Sequence, residues 1–188
     1  MIVLVTGGAR SGKSTFAEAY AARLGSQGVY IATSPVFDEE LRERVRRHRQ
    51  RRERSPFSWE TFEIPYDLAG ILRRLSSEPA IGSGERVVLV DCLTLWLSNW
   101  LLRHERDQPM EHTLEKVDEL VEALRSFPGT IILVSNEVGY GIVPDNPLGR
   151  MFRDAAGIMN QRVAEASDQV FLVTAGIPVE LKSRAFRL

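Results

Sequence analysis

Ile2-Val3-Leu4-Val5-Thr6, running straight into Gly7-Gly8-Ala9-Arg10-Ser11-Gly12-Lys13-Ser14, is the stretch whose reading decides the fold. The first five residues are apolar or β-branched, as expected of a strand covered on both faces. The next eight match GxxxxGK[ST], and helical spacing follows over residues 13–24. A strand, a glycine-rich turn and a helix in that order form the context this motif requires.

The physical logic of the motif is specific. Glycines allow the backbone to turn its N–H groups inward around phosphate oxygens, and the following helix directs its positive end at the same charge. The sequence therefore predicts a site for a nucleoside triphosphate, with Lys13 reaching the β and γ phosphates and Ser14 ligating Mg²⁺. A glycine-rich turn that matches by coincidence is the bland alternative, and the flanking strand and helix count against it.

Short β-branched runs recur at residues 29–32, 87–90, 130–135 and 169–174, and helical periodicity at 39–52, 93–104, 113–126 and 148–166. A shorter helix is expected at 67–75, and a surface loop at 76–85. This alternation predicts a mainly parallel α/β sheet with helices on both faces.

With 44 % hydrophobic and 26 % charged residues, the 188-residue chain has the size and composition of one globular domain. Its net charge of −1 gives no global reason for nucleic-acid or membrane binding. One segment departs from that balance. Between residues 42 and 54, eight arginines face two glutamates, a local +6 that leaves about −7 for the remainder. Cys92 is the only cysteine, which excludes an intrachain disulfide and a cysteine zinc cluster and agrees with a reducing, cytoplasmic setting. No apolar run reaches the roughly 18 residues of a membrane span, and residues 2–5 are too few for a signal-peptide core.

Asp91 ends the 87–90 strand, where a carboxylate would hold Mg²⁺ through its water shell; a cap for the helix at Leu93 is the competing reading. On a helix, Arg44, Arg47, His48, Arg51 and Arg52 share a face that suits either a polyphosphate clamp or plain solvation. Asn136-Glu137-Val138-Gly139-Tyr140-Gly141-Ile142-Val143-Pro144 follows the 130–135 strand, a usual place for a ligand loop, and it equally suits a connector. His104 and His112 lack a partner spacing and read as surface residues.

Taken in order, Gly7 to Ser14, Ala32-Thr33-Ser34, Arg44-Val45-Arg46-Arg47-His48-Arg49 with Arg52, Trp59 to Glu63, Asp91-Cys92-Leu93-Thr94, and Asn136 to Pro144 resemble one family. It is the bifunctional adenosylcobinamide kinase and adenosylcobinamide-phosphate guanylyltransferase of cobalamin synthesis. Phe152-Arg153-Asp154-Ala155-Ala156-Gly157 and Asn160-Gln161-Arg162 extend the resemblance over nearly the whole chain. It implies a three-layer, RecA-like P-loop NTPase fold, commonly assembled as a homotrimer, that uses ATP or GTP with Mg²⁺ on a corrinoid substrate. It further implies that His48 carries GMP from GTP to the corrinoid phosphate. Some members have two adjacent histidines here, whereas this chain has Arg47 followed by His48. Nucleotide-binding positions carried over by the resemblance are Gly7, Gly8, Ala9, Arg10, Ser11, Gly12, Lys13, Ser14, Ala32, Thr33, Ser34, Arg49, Gln50, Arg51, Arg52, Glu63 and Asp91.

The chemistry suits that reading. A neutral imidazole attacks an α-phosphorus to give a reactive phosphoramidate, and surrounding arginines favour the neutral ring and stabilise charge on the phosphate oxygens. Two alternatives stand beside it: a single-function P-loop kinase, and a RecA-like ATPase that binds nucleic acid through the arginine face. The second lacks aromatic residues within the basic segment. Glu137 is a candidate base toward the substrate hydroxyl, undecided by sequence.

Overall fold

A computed structural model describes residues 1–34, 50, 52 and 55–186 of the chain. Seven strands lie in one sheet: β1 (Ile2–Gly7), β2 (Gln27–Ala32), β3 (Ser58–Glu63), β4 (Arg86–Asp91), β5 (Thr130–Asn136), β6 (Gln169–Thr174) and β7 (Ile177–Glu180). Their spatial order is β3-β2-β4-β5-β1-β6-β7. Every pairing is parallel except β6 with β7. The helices are α1 (Lys13–Leu24), α2 (Leu68–Leu75), α3 (Pro79–Gly82), α4 (Leu93–Arg103), α5 (Pro109–Arg125) and α6 (Pro147–Ala166).

Strand side chains alternate between two cores, as the two-residue period of a β-strand requires. Ile2, Leu4, Val29, Ile31, Val88, Val90, Ile131 and Leu133 face one way and pack under α2, α4, α5 and α6. Val3, Val5, Tyr30, Val87, Leu89, Ile132 and Val134 face the other way, against Ala17 and Ala21 of α1. Both faces are covered, which is why β1, β4 and β5 read as unbroken apolar runs. Each fully buried Val, Leu or Ile contributes about 1.5–3 kcal/mol.

The structure extends the sequence reading in several places. Strand β3 went unread because Ser58-Trp59-Glu60-Thr61-Phe62-Glu63 is polar at alternate and outer positions; it lies at the sheet edge, with no residue fully buried. Strand β7 contains Pro178, tolerated because an edge strand needs no donor on its outer side. The expected 76–85 loop contains the short helix α3, begun by Pro79 at its first turn. Helix α5 starts at Pro109, four residues before the expected 113, for the same reason. At 67–75 the helix is present, with Asp67 as its cap, accepting from the Gly70 N–H at 2.9 Å. The expected 39–52 helix lies outside the described residues, apart from helical Gln50 and Arg52. No described helix is long and apolar enough to cross a membrane.

His104 and His112 are not independent surface residues. The turn between α4 and α5 brings their rings to 4.5 Å, with His104 stacked on Trp100 at 6.0 Å and His112 near Asp107 and Glu115.

The β7 edge is fastened by Glu180. Its carboxylate accepts the backbone N–H groups of Ser183 at 2.6 Å, Val170 at 3.0 Å and Lys182 at 3.0 Å. Hydrogen bonding from Ser183, with help from Val170 and Lys182, holds its pKa down at about 2 against an ordinary 4.5. A carboxyl depressed by folding stabilises above its unfolded pKa and loses that contribution as pH falls toward about 2. We therefore expect Glu180→Gln to speed amide exchange at Val170, Lys182 and Ser183 near neutral pH, with the difference from wild type shrinking as pH falls from about 4.5 to about 2. Equal exchange at pH 7 would contradict this.

Candidate functional site

The site is built at the C-terminal ends of the parallel strands, where open α/β sheets bind ligands. Gly7 ends β1 beside Asn136 of β5, and Asp91 of β4, Ala32 of β2 and Glu63 of β3 end abreast of one another. These ends are tied by side chains. The Thr33 hydroxyl donates to Cys92 O at 2.7 Å and accepts the Cys92 N–H at 2.9 Å, and Asn99 donates to Thr33 O at 2.9 Å. Thr94 Oγ1 accepts both the backbone and side-chain N–H of Asn136 at 3.0 Å, while Ser135 and Asn160 bond at 2.6 Å. Thr94, Asn99 and Asn160 thus fix the geometry without having drawn attention in the sequence as polar fasteners; Thr94 and Asn99 are polar residues inside the mostly apolar α4, a signal that could have found them, whereas Asn160 sits among other polar residues of α6.

Residues 7–14 form a cradle. Arg10 and Gly12 have φ of 56° and 96°, and the Ser11 N–H reaches Gly8 O at 3.3 Å. The loop is braced from both sides: Glu137 N–H donates to Gly7 O at 3.0 Å and Gly176 N–H to Ser11 O at 2.8 Å. Gly7 has no room for a side chain, since a Cβ there would lie 2.3 Å from Val173 O. Helix α1 begins from Gly12 without a side-chain cap and with no acid in its first turn. A helix start of that kind directs its positive end at the loop, where it favours an anion. Lys13 is 8 % exposed and donates to Gly8 O at 3.0 Å, so its ammonium lies over the loop.

Asp91 closes the other side. Tyr30 Oη donates to Asp91 Oδ2 at 3.0 Å, which leaves Oδ1 without a partner among the described residues. Cys92, not Asp91, takes the N-cap position of α4, and it makes no side-chain cap. The capping reading of Asp91 is thereby set aside. The hydroxyl of half-buried Ser14 likewise has no hydrogen-bond partner among the described residues. A free hydroxyl and a free carboxylate oxygen are hard donors of the kind Mg²⁺ takes. The charge of Lys13 is felt here too: burial and Asp91 push the Cys92 thiol above its usual pKa, and Lys13 opposes them.

Other expected residues are placed unevenly. Thr33 is fully buried with its hydroxyl committed to Cys92, Ser34 and Ala32 are half-buried, and Glu63 is exposed at the strand edge. Gln50 is exposed. Arg52 is 7 % exposed and stacks on Tyr30, its guanidinium carbon 3.5 Å from the ring centre. His48, Arg49 and Arg51 lie outside the described residues. The loop after β5 lifts Tyr140 and Ile142 into solvent at 89 % and 97 % exposure. Glu137 accepts the Gly139 N–H at 2.7 Å, which uses one of its oxygens in shaping that loop.

Gly7→Ala places a methyl group against Val173 O and forces the loop off β6. We expect at least ten-fold weaker binding of a non-hydrolysable triphosphate, measured by calorimetry, and a loss of about 1–3 kcal/mol in urea unfolding. Gly8→Ala, where nothing lies within 4 Å of the added carbon, is expected to do neither to that extent.

Comparisons with known proteins bear on the fold and the family. The solved structure of the RadB recombinase matches with a TM-score of 0.50 at 15 % identity, over 91 % of this chain and 73 % of that one. That likeness supports a RecA-like P-loop α/β fold. The bifunctional adenosylcobalamin biosynthesis protein CobP of Pseudomonas aeruginosa is 46 % identical over 179 residues, 95 % of this chain and 96 % of that protein. The CobU proteins of Escherichia coli K12 and Salmonella typhimurium are 40 % and 41 % identical, each over 97 % of this chain and 100 % of theirs. The profile described as cobinamide kinase / cobinamide phosphate guanyltransferase matches residues 3–181, and the chain belongs to that family.

Proposed function

We propose that this chain is a bifunctional adenosylcobinamide kinase and adenosylcobinamide-phosphate guanylyltransferase acting in the cytoplasm. In the first reaction, the aminopropanol hydroxyl of adenosylcobinamide attacks the γ-phosphorus of ATP or GTP and releases the nucleoside diphosphate. In the second, an imidazole nitrogen of His48 attacks the α-phosphorus of GTP. The P–N bond forms as the bond to pyrophosphate breaks. An oxygen of the corrinoid phosphate then displaces His48, giving adenosylcobinamide-GDP and restoring the free ring.

The observation that carries the reading is the cradle: a helix start without a side-chain cap, Lys13 over the loop, and oxygens of Ser14 and Asp91 without partners among the described residues, in a chain of this family. Lys13 would hold the β and γ phosphates and stabilise charge on the transferred group. Mg²⁺ held by Ser14 and Asp91 would neutralise charge on the bridging phosphates. Ala32, Thr33, Ser34, Glu63 and the arginines at 49, 51 and 52 are assigned to GTP. Thr33 acts there through its backbone and its tie to Cys92, because its side chain is buried. A homotrimer is part of the proposal; exposed Ile177, Val179 and Phe186 on and after the edge strand give apolar surface for an assembly to cover.

The test is incubation with GTP labelled at the α-phosphate, followed by an alkaline quench. We expect an acid-labile, base-stable label on the wild-type chain and none on His48→Ala. Lys13→Ala is expected to lower phosphoryl transfer from γ-labelled ATP to adenosylcobinamide by about 100-fold or more, as loss of charge stabilisation in flight does. No label on wild type, with phosphoryl transfer intact, would leave a kinase alone. Label persisting on His48→Ala would move the nucleophile elsewhere.

A further inference from the structure

Tyr30 was not among the residues expected at the site, yet it touches both halves of it. It lies within β2, abreast of Thr61 on β3 and Leu89 on β4, and is 4 % exposed. Its hydroxyl donates to Asp91 Oδ2 at 3.0 Å. Its ring face carries the Arg52 guanidinium at 3.5 Å, and its edge meets the Trp59 ring at 5.9 Å and 89°.

Arg52 depends on that face. It is 7 % exposed, and its Nη1 has no hydrogen-bond partner among the described residues. A buried guanidinium so under-bonded is costly unless something else offsets its desolvation, and the π-face of a tyrosine at this distance does so. Asp91 depends on the hydroxyl. Without it, the carboxylate loses the bond that sets its rotamer and leaves Oδ1 pointing free.

We propose that Tyr30 is a positioning residue that serves two functions through separate parts of one side chain: the hydroxyl orients Asp91 for a divalent cation, and the ring face seats Arg52 for guanylyl transfer. The proposal rests on the assignments of Asp91 and Arg52 made above. Two features make it more than packing. The hydroxyl is the only part of the ring that reaches Asp91, and removing it leaves the face intact. The two functions are therefore separable at one position, which a purely structural tyrosine would not allow.

Three variants divide the contributions. Tyr30→Phe removes the hydroxyl alone, Tyr30→Leu removes hydroxyl and face, and Arg52→Met removes only the cation. Two quantities are read for each: the affinity for Mn²⁺ in the presence of a non-hydrolysable ATP analogue, by electron paramagnetic resonance, and the rate of covalent GMP labelling at saturating Mg²⁺. For Tyr30→Phe we expect Mn²⁺ affinity to fall about ten-fold or more, as loss of a hydrogen bond to a charged group does, with a smaller change in labelling rate. Tyr30→Leu should show the same metal defect and label at least ten-fold more slowly. Arg52→Met should label slowly with Mn²⁺ affinity unshifted.

Wild-type Mn²⁺ affinity in Tyr30→Phe overturns the proposal, as does equal loss of both quantities in the Phe and Leu variants. If Tyr30→Leu lacks a cooperative melting transition, Arg52→Met decides the second arm. Asp91→Asn separates this proposal from the reading beneath it. If that variant binds Mn²⁺ as wild type does, the metal role of Asp91 fails; if it loses Mn²⁺ while Tyr30→Phe does not, only the role of Tyr30 fails.

Discussion

The rest of the structure depends on the burial of β1 on both faces and both edges. It lies between β5 and β6, with Val3 and Val5 under α1 and Ile2 and Leu4 under the helices of the opposite face. A strand held that completely leaves its C-terminal residue no freedom of position. Gly7 must emerge against Val173 O, in space that admits no Cβ. The phosphate loop therefore begins from a fixed point, and α1 is launched from it without a side-chain cap and with its positive end toward the loop.

The same economy governs the other strand ends. Parallel strands stop together at one edge of the sheet, where their last carbonyl and N–H groups lose their neighbours and need replacements. Thr33, Thr94, Asn99, Asn136 and Asn160 supply them, binding β2, β4 and β5 to α4 and α6. Such a network is costly when half satisfied and stiff when complete. Its effect is to hold Asp91 and the loop after β5 at fixed positions around the cradle.

Charge is divided in keeping with that frame. The sheet's interior is apolar, and among the described residues the buried cations are Lys13 and Arg52, each next to a group tied to Asp91 or the loop. Lys13 leans on a loop carbonyl that a phosphate would replace. Arg52 leans on an aromatic face. Both cations lie beside groups that the proposed anionic ligand would approach, Lys13 over the loop and Arg52 on the ring whose hydroxyl holds Asp91.

The sequence by itself determined the strand–loop–helix unit, the parallel α/β class and five of the seven strands, because runs covered on both faces leave an unbroken apolar record. It also marked Lys13, Ser14 and Asp91, whose spacing to a strand end is local. The edge strands β3 and β7 were not legible: half their surface is solvated, and Pro178 and the glutamates of β3 leave no apolar run to mark a strand. The pairing of His104 with His112 and the bonds of Thr33, Thr94 and Asn160 also needed the tertiary structure, since each joins residues from separate elements. Tyr30 is the clearest case. In the sequence it is one more aromatic residue in a buried strand. Only the parallel register of β2 with β4, which sets its hydroxyl beside Asp91, and the return of the chain that lays Arg52 on its ring give it two neighbours with chemistry.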